Sequence, residues 1–552
     1  MAKIALIRPS LTMPKKTVST FQATPHIGIA YLSASLKSAG HTVIVIDALG
    51  EAIHKFSHLK DSHLLINGLT AEEIGDRIPS DVDVIGLTCM FSNAWNYIRT
   101  VLDTINNKFA NIPVILGGEH ITADPEYSLR TGKGVTACAL GEGEQTIVDL
   151  VDAILGKRSL HDIKGIAFLD QSGSFYQTER RSRILSVDDI PWPDWENYPL
   201  EEYLKEGLGF NTAIGRPIPM MASRGCPYQC TFCSSPNMWT TKWIARDPMD
   251  VIKEIKFYIE KYNIDHVEFF DLTAIIEINW IIDFTKALIK EDIDISWSLP
   301  SGTRTEILDE EILALIKKSG CHKLTYAPEA GSATTLKRIK KIVKLDRMIK
   351  SIRAAQKVGI RVKSNLMFGI PGQTKYECLE TFGFLSRTAW SGMWDVSLFN
   401  FVPYPGSELF SQLMDEKKID QNDHDAYDNF LMSNIYGDAA SFKSWSKYIT
   451  DRQLSIIIFF SFFWFYGLSF LFRPQRLVYT IWRQLRNKPT TTLDLLIRSR
   501  VRNIFRRIEK KPTPAKITTW KKDKVKELKP KPVEKTEIEH KVMRGGIGQG
   551  KI

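Results

Sequence analysis

The chain has 552 residues, enough for two or three domains, and its 43% hydrophobic and 25% charged content is that of a globular protein with a large core. The net charge of +10 sits at one end: residues 473–552 hold 23 Lys and Arg against 7 Asp and Glu, so the remainder is mildly acidic and the chain does not read as nucleic-acid-binding. Seven cysteines, an odd number without framework spacing, argue against a disulfide scaffold and fit a reducing cytoplasm.

The opening Met-Ala-Lys-Ile-Ala-Leu-Ile-Arg-Pro enters a strand directly and does not read as a signal peptide. Over residues 1–160, short apolar runs at 4–7, 43–47, 84–88, 114–117 and 137–140 alternate with helical periodicity at 27–38, 94–109 and 146–155. This alternation predicts an α/β domain with a doubly wound parallel sheet, which takes its ligands at the carboxyl ends of its strands. Those ends are polar or Gly-rich: Thr88-Cys89-Met90-Phe91-Ser92-Asn93, Gly117-Gly118-Glu119-His120 and Gly141-Glu142-Gly143-Glu144. Glycine there lets the backbone approach a bulky ligand. Residues 161–205, with the turn-rich Ile190-Pro191-Trp192-Pro193-Asp194-Trp195, read as a connector.

Alternation resumes over 206–415, with strands expected at 218–222, 267–271, 295–299, 323–327, 362–368 and 396–401 and helices at 248–262, 310–318 and 345–358. Six such units predict a partial (β/α)6 barrel, again working at its carboxyl ends. The loop after the first strand reads Ser-Arg-Gly-Cys226-Pro-Tyr-Gln-Cys230-Thr-Phe232-Cys233. Three soft thiolates on one short loop suit an iron–sulfur cluster. A structural zinc would need a fourth protein ligand, for which Cys321 and His322 are the candidates. A cubane cluster held by three cysteines leaves one iron open to a substrate or cofactor. The later strand ends carry Asp271, Arg304, Glu329, Gly369-Ile370-Pro371-Gly372 and Pro403-Tyr404-Pro405-Gly406-Ser407.

Residues 416–509 read as a helical region. Within it, 454–472 is 19 residues without a charge, long enough to cross a bilayer. A single crossing from a cytoplasmic body would export the basic tail, against the usual charge bias. No polar face exists on this segment, so burial in protein or in lipid is expected. Next, Leu477, Val478, Ile481, Trp482 and Leu485 share one helical face, with Arg473, Arg476, Arg483 and Arg486 around it, and 493–508 repeats the arrangement. Such helices suit an anionic membrane surface; a helical cap on the barrel is the alternative. From 510 to 552 the Lys-, Pro- and Glu-rich composition reads as disordered.

The Cys-x-x-x-Cys-x-x-Cys loop with its aromatic resembles the radical-SAM superfamily, in which the open iron of a [4Fe-4S] cluster binds S-adenosylmethionine (SAM). The resemblance implies that Cys226, Cys230 and Cys233 hold the cluster and that Phe232 packs by the adenine. It further implies that Asp271 bonds the SAM ammonium, Arg304 reaches its carboxylate, Glu329 contacts its ribose, and the turn Gly369 to Gly372 packs against the adenine. Leu272 stands where the family often shows a second acid. The N-terminal region, with Pro25-His26-Ile27-Gly28-Ile29-Ala30-Tyr31-Leu32 at its opening, resembles the flavodoxin-like cobalamin-binding domain fused ahead of many such enzymes. The resemblance implies cobalamin contacts at Ser92, Asn93, Gly117, Gly118, His120, Gly141, Glu142, Gly143 and Glu144. His26 lacks the Asp-x-His-x-x-Gly spacing, so cobalamin without a protein histidine on cobalt is expected. Together these features imply a cobalamin-dependent radical-SAM methyltransferase acting on an unactivated carbon through a 5′-deoxyadenosyl radical and methylcobalamin. The alternative is a relative that cyclises or rearranges without methyl transfer, such as the anaerobic Mg-protoporphyrin ester cyclase. The implied partners are a small-molecule or lipid substrate, an electron donor such as flavodoxin or ferredoxin, and a membrane surface at the inner face of the cell membrane, with no nucleic acid.

Overall fold

The first strand of the protein, Lys3–Arg8 (β1), is apolar and buried almost throughout, because both faces of a parallel sheet are covered by helices. The structure, a computed structural model, describes residues 1–14, 23–59, 64–210, 215–303, 308–433, 442–486 and 489–498. Around β1 lie Thr42–Asp47 (β2), Val84–Thr88 (β3), Val114–Gly117 (β4) and Val135–Ala139 (β5), all parallel. Two further strands, Ile166–Leu169 (β6) and Phe175–Gln177 (β7), add antiparallel to one edge, giving the order β7-β6-β5-β4-β3-β1-β2. Residues 161–205, expected as a connector carrying short strands, thus extend the first sheet. The two strands are short and join antiparallel, outside the strand–helix alternation, so nothing in their periodicity assigns them to the sheet. Helix Ile27–Ser38 (α1) starts at His26, whose Nδ1 accepts from Ile29 N.

Six parallel strands form the second sheet in sequence order: Pro217–Met220 (β8), His266–Phe269 (β9), Ser296–Thr303 (β10), Cys321–Glu329 (β11), Arg361–Phe368 (β12) and Asp395–Asn400 (β13). This is the open barrel expected from the alternation. Its helices carry clear start and stop signals. Pro248–Tyr262 (α2) has Pro in its first turn and Asp247 accepting from Met249 N. Lys375–Ser391 (α3) starts at a reciprocal Thr374–Glu377 capping box and ends at Gly392, whose φ is +101°. Phe269, Phe284 and Trp297 pack edge to face between the second and third strands and their helix layer.

Two C-terminal helices fold back onto this body. His424–Ser433 (α4) reaches the N-terminal half, where Tyr427 Oη donates to Asp124 and Asp428 accepts from Tyr127 and Arg99. Asp451–Phe472 (α5) packs on α3 and β13, with Leu454, Ile458, Phe462 and Phe465 buried. Its other face is exposed at Ile456, Phe460, Phe463 and Leu471. Expected to be buried in protein or in lipid, this helix is covered by the protein on one side. Gln475–Leu485 (α6) follows. Arg304, residues 499–508 and the tail 510–552 lie outside the described residues.

Candidate active site

The cysteine loop leaves β8 through Ser223-Arg224-Gly225. Gly225 has φ +88°, and a Cβ there would sit 2.2 Å from Lys242 O, so the turn into Cys226 requires glycine. Asp271, two residues beyond β9, fixes the start of the loop: its carboxylate accepts from Ala222 N at 3.0 Å and from Ser223 Oγ at 2.5 Å. Burial pushes this carboxyl up to about 6 against those bonds. Farther along, Thr231 N donates to Ile339 O at 3.1 Å and Thr231 O accepts from Leu409 N at 2.8 Å, stitching the loop to the helices that follow β11 and β13.

Cys226, Cys230 and Cys233 are all half-buried free thiols within electrostatic reach of one another. Burial pushes Cys230 up to about 11, opposed by nearby Lys341, and raises Cys233, which hydrogen-bonds Ser235. Thr273 Oγ1 donates to Cys226 Sγ at 3.6 Å. Among the described residues no three ligand-type side chains converge as they would on a single metal ion. A cluster asks for a wider triangle, since each thiolate binds a different iron. Cys321 lies at the opposite, amino end of β11, where its thiol donates to Lys323 O. His322 is beside it and packs against the His266 ring. Neither reaches the cysteine loop, so the zinc alternative has no fourth ligand there.

Glu329 ends β11 in the left-handed region, φ +68°, and pairs with Lys341 at 3.3 Å; burial raises its carboxyl. Lys341 thus links Glu329 to the Cys230 neighbourhood. Phe232 packs on the apolar cluster containing Ile339, Met367 and Ile370, the last within the turn from Gly369 to Gly372. Gly369 N donates to Gln373 Oε1, and Gly372 faces Arg338. The structure therefore gathers Phe232, Asp271, Glu329 and this turn at the carboxyl end of the barrel with the three cysteines.

The N-terminal strand ends face the same region. Ser92 Oγ and His120 Nδ1 are 3.0 Å apart, and His120 packs against Trp95. Burial pushes His120 down to about 3, so the ring is neutral, and its Nε2 is buried without a partner. An orphaned buried ring nitrogen at a sheet's carboxyl edge is a group that a polar ligand would satisfy. Asn93 donates to Thr12, and Gly117 ends β4, where a Cβ would meet the Ala139 Cβ at 4.0 Å. Gly118, φ +114°, packs instead against Cys89 O, and Gly143 against Leu32. Gly141 faces Met238 O. Cys89 is simply a buried thiol.

Glu142 and Glu144 are already engaged by the protein. Arg183 pairs with Glu142 at 2.8 Å, and Arg224 reaches Glu144 at 2.6 Å and Glu142 at 3.5 Å. Burial works against the Glu144 charge, but Arg224 holds it below the usual carboxylate range. Arg224 lies 4.8 Å from the Tyr31 ring and 5.9 Å from Trp239. Glu119, raised by burial, accepts from Ser234, the residue after Cys233. Glu142 and Glu144 were expected here, but their partners Arg183 and Arg224 were not. The Arg180-Arg181-x-Arg183 run within the connector was the available signal, since Arg180 and Arg183 bond the backbone of residues 237–242.

A three-cysteine loop on an open parallel barrel, facing the carboxyl edge of a doubly wound sheet, defines a radical-SAM enzyme with a second cofactor domain. Residues 220–385 match the Radical SAM superfamily and residues 17–151 the B12 binding domain. The chain is 30% identical to an uncharacterized methyltransferase of Pyrococcus horikoshii, over 74% of this chain and 82% of that one. It is 27% identical to the anaerobic magnesium-protoporphyrin IX monomethyl ester cyclase of Rubrivivax gelatinosus, over 75% and 70%. Its fold matches the radical SAM methyltransferase TsrM of Kitasatospora setae, with a TM-score of 0.57 at 15% identity, covering 75% of this chain and 78% of that one. The chain belongs to the cobalamin-dependent radical-SAM family of methyltransferases, an enzyme family whose cofactors are a [4Fe-4S] cluster, SAM and cobalamin.

Proposed function

We propose that this enzyme transfers a methyl group to an unactivated carbon of a small molecule, with cluster and SAM bound at the barrel end and cobalamin at the edge of the N-terminal sheet. One observation carries the reading: Glu119, next to His120 at the sheet edge, bonds Ser234, next to Cys233, so the two sites abut. When bound, the three groups supply the electron, the hydrogen abstraction and the methyl group. The residues of this chain hold and align them. Cys226, Cys230 and Cys233 would ligate the cluster. Phe232, Glu329 and the Gly369–Gly372 turn would line the SAM site, with Arg304 added from the sequence. Asp271 keeps the loop seated through Ala222 and Ser223, with lone pairs left for an ammonium. Ser92, Asn93, Gly117 and His120 would meet the corrin. Gly118, Gly141, Gly143, Glu142 and Glu144 would shape that site from behind through their own packing and ion pairs. The electron donor is a small redox protein such as flavodoxin or ferredoxin. The enzyme works in the cytoplasm, against the inner face of the cell membrane, and its substrate is lipid-like.

Anaerobic reconstitution with iron, sulfide, cobalamin and SAM tests the chemistry. Methyl transfer predicts both 5′-deoxyadenosine and S-adenosylhomocysteine among the products. Formation of 5′-deoxyadenosine alone would contradict it and support the cyclising alternative.

A further inference from the structure

Helix α6 is amphipathic, and it sits the wrong way round for a soluble protein. Its polar residues face inward. The buried Arg476 guanidinium donates to Met393 O, Gly392 O and Ser469 Oγ at 2.6–2.8 Å, and Tyr479 Oη accepts from Arg361 and Arg483. Its apolar residues Leu477, Val478, Ile481, Trp482 and Leu485 face outward, between 42% and 82% exposed. An amphipathic helix normally buries this stripe.

The outward face does not end with α6. On α5, Ile456, Phe460, Phe463 and Leu471 are exposed at helical spacing. Phe460 stacks on Phe382 of α3 and Phe472 meets Trp390 edge to face, so α3 and α5 make one surface, which adds Tyr376 and Leu379. Scattered exposed apolar residues need no explanation, but exposed apolar faces on three helices packed in succession do.

The helix α5 cannot leave the barrel to cross a bilayer without breaking its anchors. Leu454 packs on Gly369, Tyr466 Oη donates to Asp395, and Arg473 donates to Ala389 O and Trp390 O. It presents its flank, not its end.

Cations surround these faces. Arg483 and Arg486 lie 5.5 Å and 4.2 Å from the Trp482 ring, Lys443 and Lys447 lie over Trp445 and Tyr448, and Arg452 is exposed at the start of α5. There is no acid on α6 and only Asp451 on α5. This charge would repel a second copy and attracts anionic headgroups.

From these observations we infer that the outer faces of α3, α5 and α6 form a docking surface for an anionic lipid bilayer, with α5 and α6 lying in the interfacial plane. Leu454, buried on the inner side of α5, packs on the Gly369 turn at the rim of the active site, so the docked helix adjoins that rim. The docking stands independently of the chemistry; the lipid substrate class alone rests on the methyl-transfer reading.

The test is sedimentation of the full-length protein with vesicles of phosphatidylcholine and phosphatidylglycerol, against pure phosphatidylcholine. The comparison variant carries Val478→Ser, Ile481→Ser and Trp482→Gln, all at exposed positions, with its melting transition measured alongside. The wild type is expected to bind anionic vesicles at least tenfold more tightly than neutral ones and to be released by alkaline carbonate. The variant should lose at least tenfold in vesicle binding while melting unchanged and cleaving SAM in solution as well as wild type. Equal binding by the variant, no wild-type binding, retention after carbonate, or a wild-type dimer that the three substitutions dissolve would each overturn the docking surface. Failure of SAM cleavage in both proteins would count against the chemistry alone.

Discussion

The two ends of the barrel bury the same kinds of residue and use them differently. At the amino end, Asp395 accepts from Tyr466 Oη, Thr492 N and Thr492 Oγ1, and Lys323, Lys363 and Glu268 are buried around it. Burial pushes Lys363 down to about 8 and Glu268 up to about 7. This end is closed by the C-terminal segment and reads as a floor. At the carboxyl end, Asp271, Glu329 and Lys341 each meet a partner, yet three thiols are left half-exposed in their midst. A buried charge with a shifted pKa therefore marks structure as readily as function. What separates the two ends is which one leaves ligand-capable groups open.

Replacing all three cysteines with alanine should separate the ends most sharply. SAM cleavage should fall to background while the melting temperature of the metal-free protein stays close to wild type, because half-exposed thiols contribute little packing. Asp395→Ala should do the reverse. It should destabilise by roughly 3–5 kcal/mol in denaturant unfolding, by leaving buried partners uncompensated, while the folded fraction still takes up iron and sulfide.

Glu268 gives a pH test of the floor. Its folded value is raised, so its contribution to stability is fully present below the unfolded value of 4.5 and is lost as pH rises through about 7. Glu268→Gln cannot ionise. It should match wild type near pH 4.5 and exceed it above pH 7 by ~3 kcal/mol, from linkage. A parallel pair of stability curves from pH 5 to 8 would refute the shift. Asp271→Asn should show the smallest effect, about 1 kcal/mol of stability, with the loss expressed at the rim as weaker retention of iron by the reconstituted protein.

The fold class was legible because parallel strands buried on both faces are nearly continuous apolar runs, and six of them alternate with capped helices. The cysteine triad was legible because all its spacing is local. The ion pairs Arg183–Glu142 and Arg224–Glu144 were not, since they join segments far apart in sequence and no periodicity reports a long-range contact. Helix α6 shows a further limit. Its stripe was plain in Leu477, Val478, Ile481, Trp482 and Leu485, but a stripe does not say which side the protein takes. Arg476, bonded inward to three oxygens, decided that. The same holds for 454–472, whose uniform composition hides the one face that packs against α3 and β13.

The central claim is that Cys226, Cys230 and Cys233 hold the cluster that opens to SAM. Iron and sulfide content, with the visible spectrum, of anaerobically reconstituted wild type and of the triple alanine variant test it most directly. Four irons and four sulfides per chain with a brown chromophore in wild type, and neither in the variant, is the predicted result. A colourless wild type, or a variant that keeps the chromophore, would contradict it.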